Sequence, residues 1–282
     1  MTSIKGAFSS RALPQIVLFG DSLTAYSFDD QTRGFGWYLE RMYKDKAEID
    51  NQGFAGYTTS SIKRDFDRLI ERITQPDAAP TLFITIFLGA NDACFVGKSE
   101  YVPLPLFEDN IRSFISTILS KDELSHTKIV LITPPPINVP DPEDEPYDED
   151  EDLGMGPLMQ AALARARPEP KEERAYRTYM SKKRYADAIM RISKAFDAER
   201  VVGLDYWKAL VDAGLKDQGR SGGDEDAYDE DKLPGCGLHT AKQFREGYFT
   251  DGLHLGVLGY QVLNESLMDV VLGKWPELAT RA

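Results

Sequence analysis

The stretch Leu18-Phe19-Gly20-Asp21-Ser22-Leu23-Thr24 places a hydroxyl and a carboxylate directly after the apolar run Gln15–Phe19. A serine hydroxyl is a poor nucleophile near neutrality, so chemistry at Ser22 demands a base and a group to orient that base. Far along the chain, in "YFTDGLHLGVLGY", Asp251 and His254 stand three residues apart. On a helical turn that spacing puts both side chains on one face, where a carboxylate accepts from imidazole Nδ1–H and leaves Nε2 to take a serine proton. Acyl transfer also needs donors aimed at a developing oxyanion. The Ser22 and Gly56 backbone amides and the Asn91 side-chain amide all fall in loops after apolar runs, and are candidates for that role.

Bringing these residues together is the task of the elements between them. Strand-like runs at 15–19, 47–51, 82–88, 128–133 and 200–204 alternate with helical patterns at about 35–46, 59–73, 107–120, 172–197 and 256–272. Repeated strand–helix alternation predicts a parallel sheet covered on both faces, a doubly wound α/β fold whose crevice lies beyond the carboxyl ends of the strands. Gly20-Asp21-Ser22, Asn51–Gly56, Gly89–Asp92 and Pro134-Pro135-Pro136 all follow strands, so the fold predicts that they meet at one edge.

The chain has 282 residues, 42% of them apolar, enough for one large domain. We expect a single domain over 1–282, with a core at about 15–272 and inserts at about 137–170 and 214–247. The net charge of −13 is unevenly placed: 141–152 holds nine acids and 224–231 six, and the remaining 31 of 46 acids face 33 Lys plus Arg. Such blocks read as solvated and disordered, and argue against nucleic-acid binding. Two cysteines and three histidines offer neither a disulfide framework nor a metal cluster, so we expect no metal and no cofactor. The acid-free N-terminus carries Lys5 and Arg11 but lacks a signal-peptide apolar core, and no run is long enough to span a membrane; a cytoplasmic protein is expected.

Taken together, "GDSL" at 20–23, "NQGFAG" at 51–56, "GAND" at 89–92 and "DGLH" at 251–254 resemble, in order, the four blocks of the GDSL, or SGNH, serine hydrolase family. Within that family, "IVLFGDSLT", "GFAGYTT", "LITPPP" and "TDGLHLGVLGYQVL" look most like the isoamyl acetate-hydrolysing esterases. The resemblance implies a flavodoxin-like three-layer α/β/α sandwich and a small-molecule ester substrate. It also implies Ser22 as nucleophile, His254 as base, Asp251 as its partner, and Ser22, Gly56 and Asn91 as the oxyanion hole. The two acidic inserts depart from the pattern. Thioesters, acylated lipids and acetylated sugars are alternative substrates, and a scaffold recruiting a protein partner through the inserts is an alternative of another class.

Other residues read as structural. Asp21 braces the serine turn, Asp92 is a turn or cap residue, and Asp205 and Trp207 cap and pack. His126 lies at the amino edge away from the crevice, whereas His239 reaches the site only if the second insert folds over it. Cys94 has no activating neighbour. Tyr26, Phe28, Phe35, Trp37 and Phe95 are core or rim aromatics that could alternatively line an acyl or alcohol pocket.

Overall fold

The computed structural model describes residues 13–94, 99–139, 175–224, 226–238 and 240–279. Five strands form one sheet: β1 (Gln15–Gly20), β2 (Glu48–Gly53), β3 (Thr81–Phe87), β4 (Lys128–Ile132) and β5 (Val201–Leu204). All pairings are parallel and the order is β2-β1-β3-β4-β5, the flavodoxin-like order with its switch point between β1 and β3. Parallel strands buried on both faces need near-continuous apolar sequence, and β1 and β4 have it. The edge strand β2, EIDNQG, is only half-buried and correspondingly polar.

Helices α1 (Ser22–Ala25), α2 (Phe35–Met42), α3 (Lys63–Ile73), α4 (Leu104–Leu119), α5 (Ala175–Ser193), α6 (Tyr206–Asp217) and α7 (Val257–Lys274) cover the sheet. Alternate residues along β1 feed two cores. Val17 and Phe19 join Phe66 of α3, Phe114 of α4 and Ile189 of α5 on one face. Ile16 and Leu18 join Leu39 of α2, Leu210 of α6 and Leu263 of α7 on the other. This is the expected three-layer sandwich.

Two features differ from the sequence expectation. Helix α6 is absent from it, because Gly214 reads as the start of a loop, although Tyr206, Leu210 and Val211 form an apolar stripe and Asp205 caps the helix by accepting from Lys208 N–H at 3.0 Å. The second insert, of which the acidic block 224–231 reads as disordered, carries apolar residues that average composition hides. Ala227, Leu233, Cys236, Leu238 and Ala241 are buried with Trp207, Val211 and Tyr179 in a third cluster. Its acids find partners outside that cluster, as in Lys232–Asp226 at 2.7 Å. The first acidic block, the 153–167 helix expectation, Phe95, His239 and positions 172–174 lie outside the described residues.

Candidate active site

Ser22 is spared a capping role by its neighbour. Asp21, rather than Ser22, caps α1: its Oδ1 accepts from Leu23 N–H at 2.9 Å. As the first helical residue, Ser22 keeps a backbone N–H with no acceptor inside the helix. Gly20 makes the tight turn possible, since a Cβ there would stand 2.2 Å from Thr24 Oγ1 and 2.5 Å from the Phe87 carbonyl oxygen.

Ser22 Oγ lies 3.1 Å from His254 Nε2, and His254 Nδ1 lies 2.6 Å from Asp251 Oδ2. An ionised carboxylate can only accept, so Nδ1 carries the proton and the Nε2 lone pair faces the serine. The Asp251–His254 segment is a bend rather than the helical turn its spacing suggests, and α7 is capped by Gly256. Asp251 Oδ1 closes the bend by accepting from Leu253 N–H at 3.0 Å and His254 N–H at 2.7 Å. Partial burial alone would raise the Asp251 pKa, but its bonds from the imidazole and both amides prevail and hold it below the usual carboxylate range. Asn138 N–H donates to the Gly252 carbonyl at 2.8 Å, so the chain leaving β4 supports this bend. Tyr260 Oη donates to the Leu23 carbonyl at 2.8 Å, tying α7 to the serine turn.

The other two candidate oxyanion donors, Gly56 and Asn91, sit on loops after β2 and β3. Tyr57 N–H donates to the Phe54 carbonyl at 3.1 Å, closing a turn in which Gly56 takes φ +78°, a conformation glycine adopts without strain. Nothing would lie within 4 Å of a Gly56 Cβ, so its face is open. Asn91 Nδ2 donates to the Tyr57 carbonyl at 2.9 Å, which joins the two loops and leaves the second amide hydrogen for another acceptor.

Beneath these turns is a charged floor that sequence reasoning missed. Asp92 is fully buried and accepts from Thr59 N–H at 3.0 and 3.2 Å and from the Thr59 hydroxyl at 2.5 Å. Lys182 of α5 is 2% exposed, and its Nζ donates to the Ala90 carbonyl at 2.5 Å. Burial pushes Asp21 up to about 7, with Asp92 reinforcing it and the Leu23 amide, Lys182 and His254 opposing. Burial pushes Asp92 up to about 6 against the Thr59 bonds and Lys182. It pushes Lys182 down to about 8 against the attraction of Asp21, Cys94 and Asp92. In the sequence Lys182 is one of three consecutive basic residues, and only its place between Tyr179 and Tyr185 on an apolar helical face could have singled it out.

The remaining candidates separate cleanly. His126 is exposed in the loop before β4, at the sheet's amino edge. Burial and Glu100 raise the Cys94 thiol pKa, away from reactive thiolate. Phe35 is wholly buried in the core and Trp37 stacks under Arg41, with the guanidinium carbon 3.5 Å from the ring centroid. Tyr26, by contrast, stands 5.5 Å from the His254 ring, centroid to centroid, and helps line a cavity of about 280 Å³ with Asp29, Thr32, Thr250, His254, Leu255 and Tyr260. Among the described residues no cluster of His, Cys, Asp and Glu is arranged to hold a metal ion, and no helix is long and apolar enough to cross a membrane.

Fold and site together define a doubly wound α/β protein with a Ser-His-Asp cluster at the carboxyl edge of its sheet. The chain belongs to the GDSL-like Lipase/Acylhydrolase family, which matches residues 18–262. It is 37% identical over 126 residues to a protein named isoamyl acetate-hydrolyzing esterase 1 homolog from Bos taurus, covering 44% of this chain and 49% of that protein. It is 25% identical over 275 residues to the isoamyl acetate-hydrolyzing esterase of Saccharomyces cerevisiae, covering 93% and 88%. The chain thus spans about half the length of the mammalian relatives it matches and most of the yeast one. Among solved structures, an acetylxylan esterase from Geobacillus stearothermophilus superposes with a TM-score of 0.56 at 15% identity, covering 91% of this chain and 93% of that one. A lipase/acylhydrolase from Enterococcus faecalis superposes with 0.53 at 19%, covering 96% and 100%. At these identities the structural likeness shows the fold.

Proposed function

We propose that this chain is a serine esterase that hydrolyses small or short-chain carboxylic esters through an acyl-enzyme. His254 Nε2 takes the Ser22 proton as Oγ bonds to the ester carbonyl carbon. The resulting oxyanion is held by the Ser22 and Gly56 amides and the free Asn91 amide hydrogen. Collapse of the tetrahedral adduct breaks the bond to the alkoxy group, which leaves as alcohol with the proton from His254. Water then attacks the acyl-enzyme with the same proton relay and restores Ser22. Asp251 fixes the imidazole tautomer and stabilises the cation formed in each half.

The observation that carries this reading is the Ser22–His254–Asp251 relay at 3.1 and 2.6 Å. The names of the mammalian and yeast relatives favour a small acetate ester. So does the cavity beside His254, which at about 280 Å³ falls just below the usual range of ligand sites, about 300–1,000 Å³. The test is turnover of p-nitrophenyl esters from acetyl to long acyl chains, together with fluorophosphonate labelling. Wild type is expected to label and to favour acetyl or other short chains, and Ser22→Ala to lose both labelling and about 10⁶-fold in kcat. Full turnover by Ser22→Ala would overturn the mechanism. A preference for long acyl chains, thioesters or acetylated sugars would keep the mechanism and change the substrate class. Unlabelled wild type would favour the scaffold reading.

A further inference from the structure

We propose that Lys182 is a positioning residue for the reaction proposed above: from α5, its ammonium holds the Ala90 carbonyl and thereby fixes the turn that aims the Asn91 amide. The inference rests on that functional reading. The turn needs such a clamp because it begins at Gly89, whose φ of +117° lies where only glycine is at ease and where the backbone is least confined by its own residue. On its far side the turn is fastened by Asp92 to Thr59, and Asn91 itself is fastened to the Tyr57 carbonyl. The peptide between Gly89 and Asn91 is held by Lys182, whose Nζ stands 2.5 Å from the Ala90 oxygen. These side-chain ties add to the backbone bonds that Ala93 N–H and Cys94 N–H give the Gly89 and Asn91 carbonyls, each at 3.1 Å, and together they restrict where the second hydrogen of the Asn91 amide can point.

Burial makes a merely packing role for this lysine uneconomical. An ammonium removed from water is strongly penalised, and an apolar side chain would fit a helix face that otherwise buries Tyr179, Tyr185, Ala186 and Ile189. Two buried carboxylates, Asp21 and Asp92, supply the compensating charge. The neighbouring turns of α5 make the same kind of contact. Tyr179 Oη donates to the Pro234 carbonyl at 3.0 Å, and Tyr185 Oη donates to the Val102 carbonyl. Side chains three residues apart thus anchor three separate segments to one helix, and the middle anchor is attached beside an oxyanion donor.

The test compares Lys182→Met and Lys182→Gln in the full chain. Folding is checked by circular dichroism and active sites are counted by fluorophosphonate titration. We expect Lys182→Met to lose ten- to a hundredfold in kcat per titrated site with KM within threefold of wild type. Lys182→Gln, which keeps a neutral donor on a shorter stem, should lose at least threefold yet exceed Lys182→Met. Affinity for a trifluoromethyl ketone, which mimics the tetrahedral adduct, should fall in step with kcat/KM. The role is overturned if folded Lys182→Met turns over within threefold of wild type per site, if kcat and KM move together, or if only the number of titratable sites falls. Should Lys182→Met fail to fold, Lys182→Gln decides alone, and wild-type kcat in it overturns the role. Wild type that neither labels nor turns over would sink the esterase reading instead, so the two failures are distinguishable.

Discussion

Replacing Asp21 by Asn isolates the energetic consequence of a carboxylate buried next to Ser22. Asn keeps an oxygen for the Leu23 N–H at 2.9 Å and has nearly the same shape, so the turn is preserved. What it removes is ionisation. In the folded chain burial raises the Asp21 pKa from 3.8 to about 7, so the native state binds this proton more tightly than the unfolded chain does. Stability contributed by the protonated form is therefore complete below about pH 4, declines as pH rises, and is fully lost above about 7. At 1.36 kcal/mol per unit, the whole span is worth about 4 kcal/mol, of which about 2–3 kcal/mol falls between pH 5 and 8. Asp92 and Lys182 respond in opposite senses when Asp21 loses its charge: the first ionises more easily, and the second loses an attraction. Urea unfolding of both chains at pH 5, 6, 7 and 8 measures the difference. Asp21→Asn is expected to gain about 2–3 kcal/mol relative to wild type across that range, whatever its offset at pH 5 from burying an amide hydrogen without a partner. A difference that stays flat with pH would refute the claim that this carboxylate is ionised at a cost in the native state.

Two further substitutions probe the turn and the relay. Asp251→Asn keeps an acceptor for the Leu253 and His254 amides that close the bend but turns an N–H toward Nδ1, which moves the imidazole proton to Nε2; kcat should fall between about 10² and 10⁴-fold with KM little changed, the upper figure applying to a fully buried carboxylate and Asp251 being more than half exposed. Gly20→Ala drives a Cβ against Thr24 and the Phe87 carbonyl, part of the sheet itself, and should cost about 1–3 kcal/mol, read as a lowered urea midpoint, along with a loss of turnover per titrated site as Ser22 shifts.

The sheet's interior was legible because parallel strands buried on both faces must be apolar along most of their length, and runs such as LFITIF and KIVLI have few other uses. The meeting of Ser22 with Asp251 and His254 was legible because the doubly wound topology sends the loop after β1 and the loop before the final helix to the same carboxyl edge. Their local geometry was less so. Three-residue spacing suits a helical turn, but the Asp251 carboxylate folds the backbone into a bend by accepting from two amides. Helix α6 was hidden by Gly214, which tertiary packing against Phe244 tolerates where isolated propensity does not. Lys182 was hidden most deeply, because a lysine is ordinarily solvated and its burial depends on two aspartates 90 and 161 residues away in the chain.

The bond from Tyr260 to the Leu23 carbonyl crosses 237 residues, and the one from His254 to Ser22 crosses 232. A ribosome therefore finishes β1 through β5 some fifty residues before it reaches His254. On the proposed mechanism, the growing polypeptide carries Ser22 without its base until residues 251–254 have been made and set against the serine turn. A chain ended before residue 254 would lack the imidazole that faces Ser22, so the proposed mechanism expects it to be inactive even with its sheet complete.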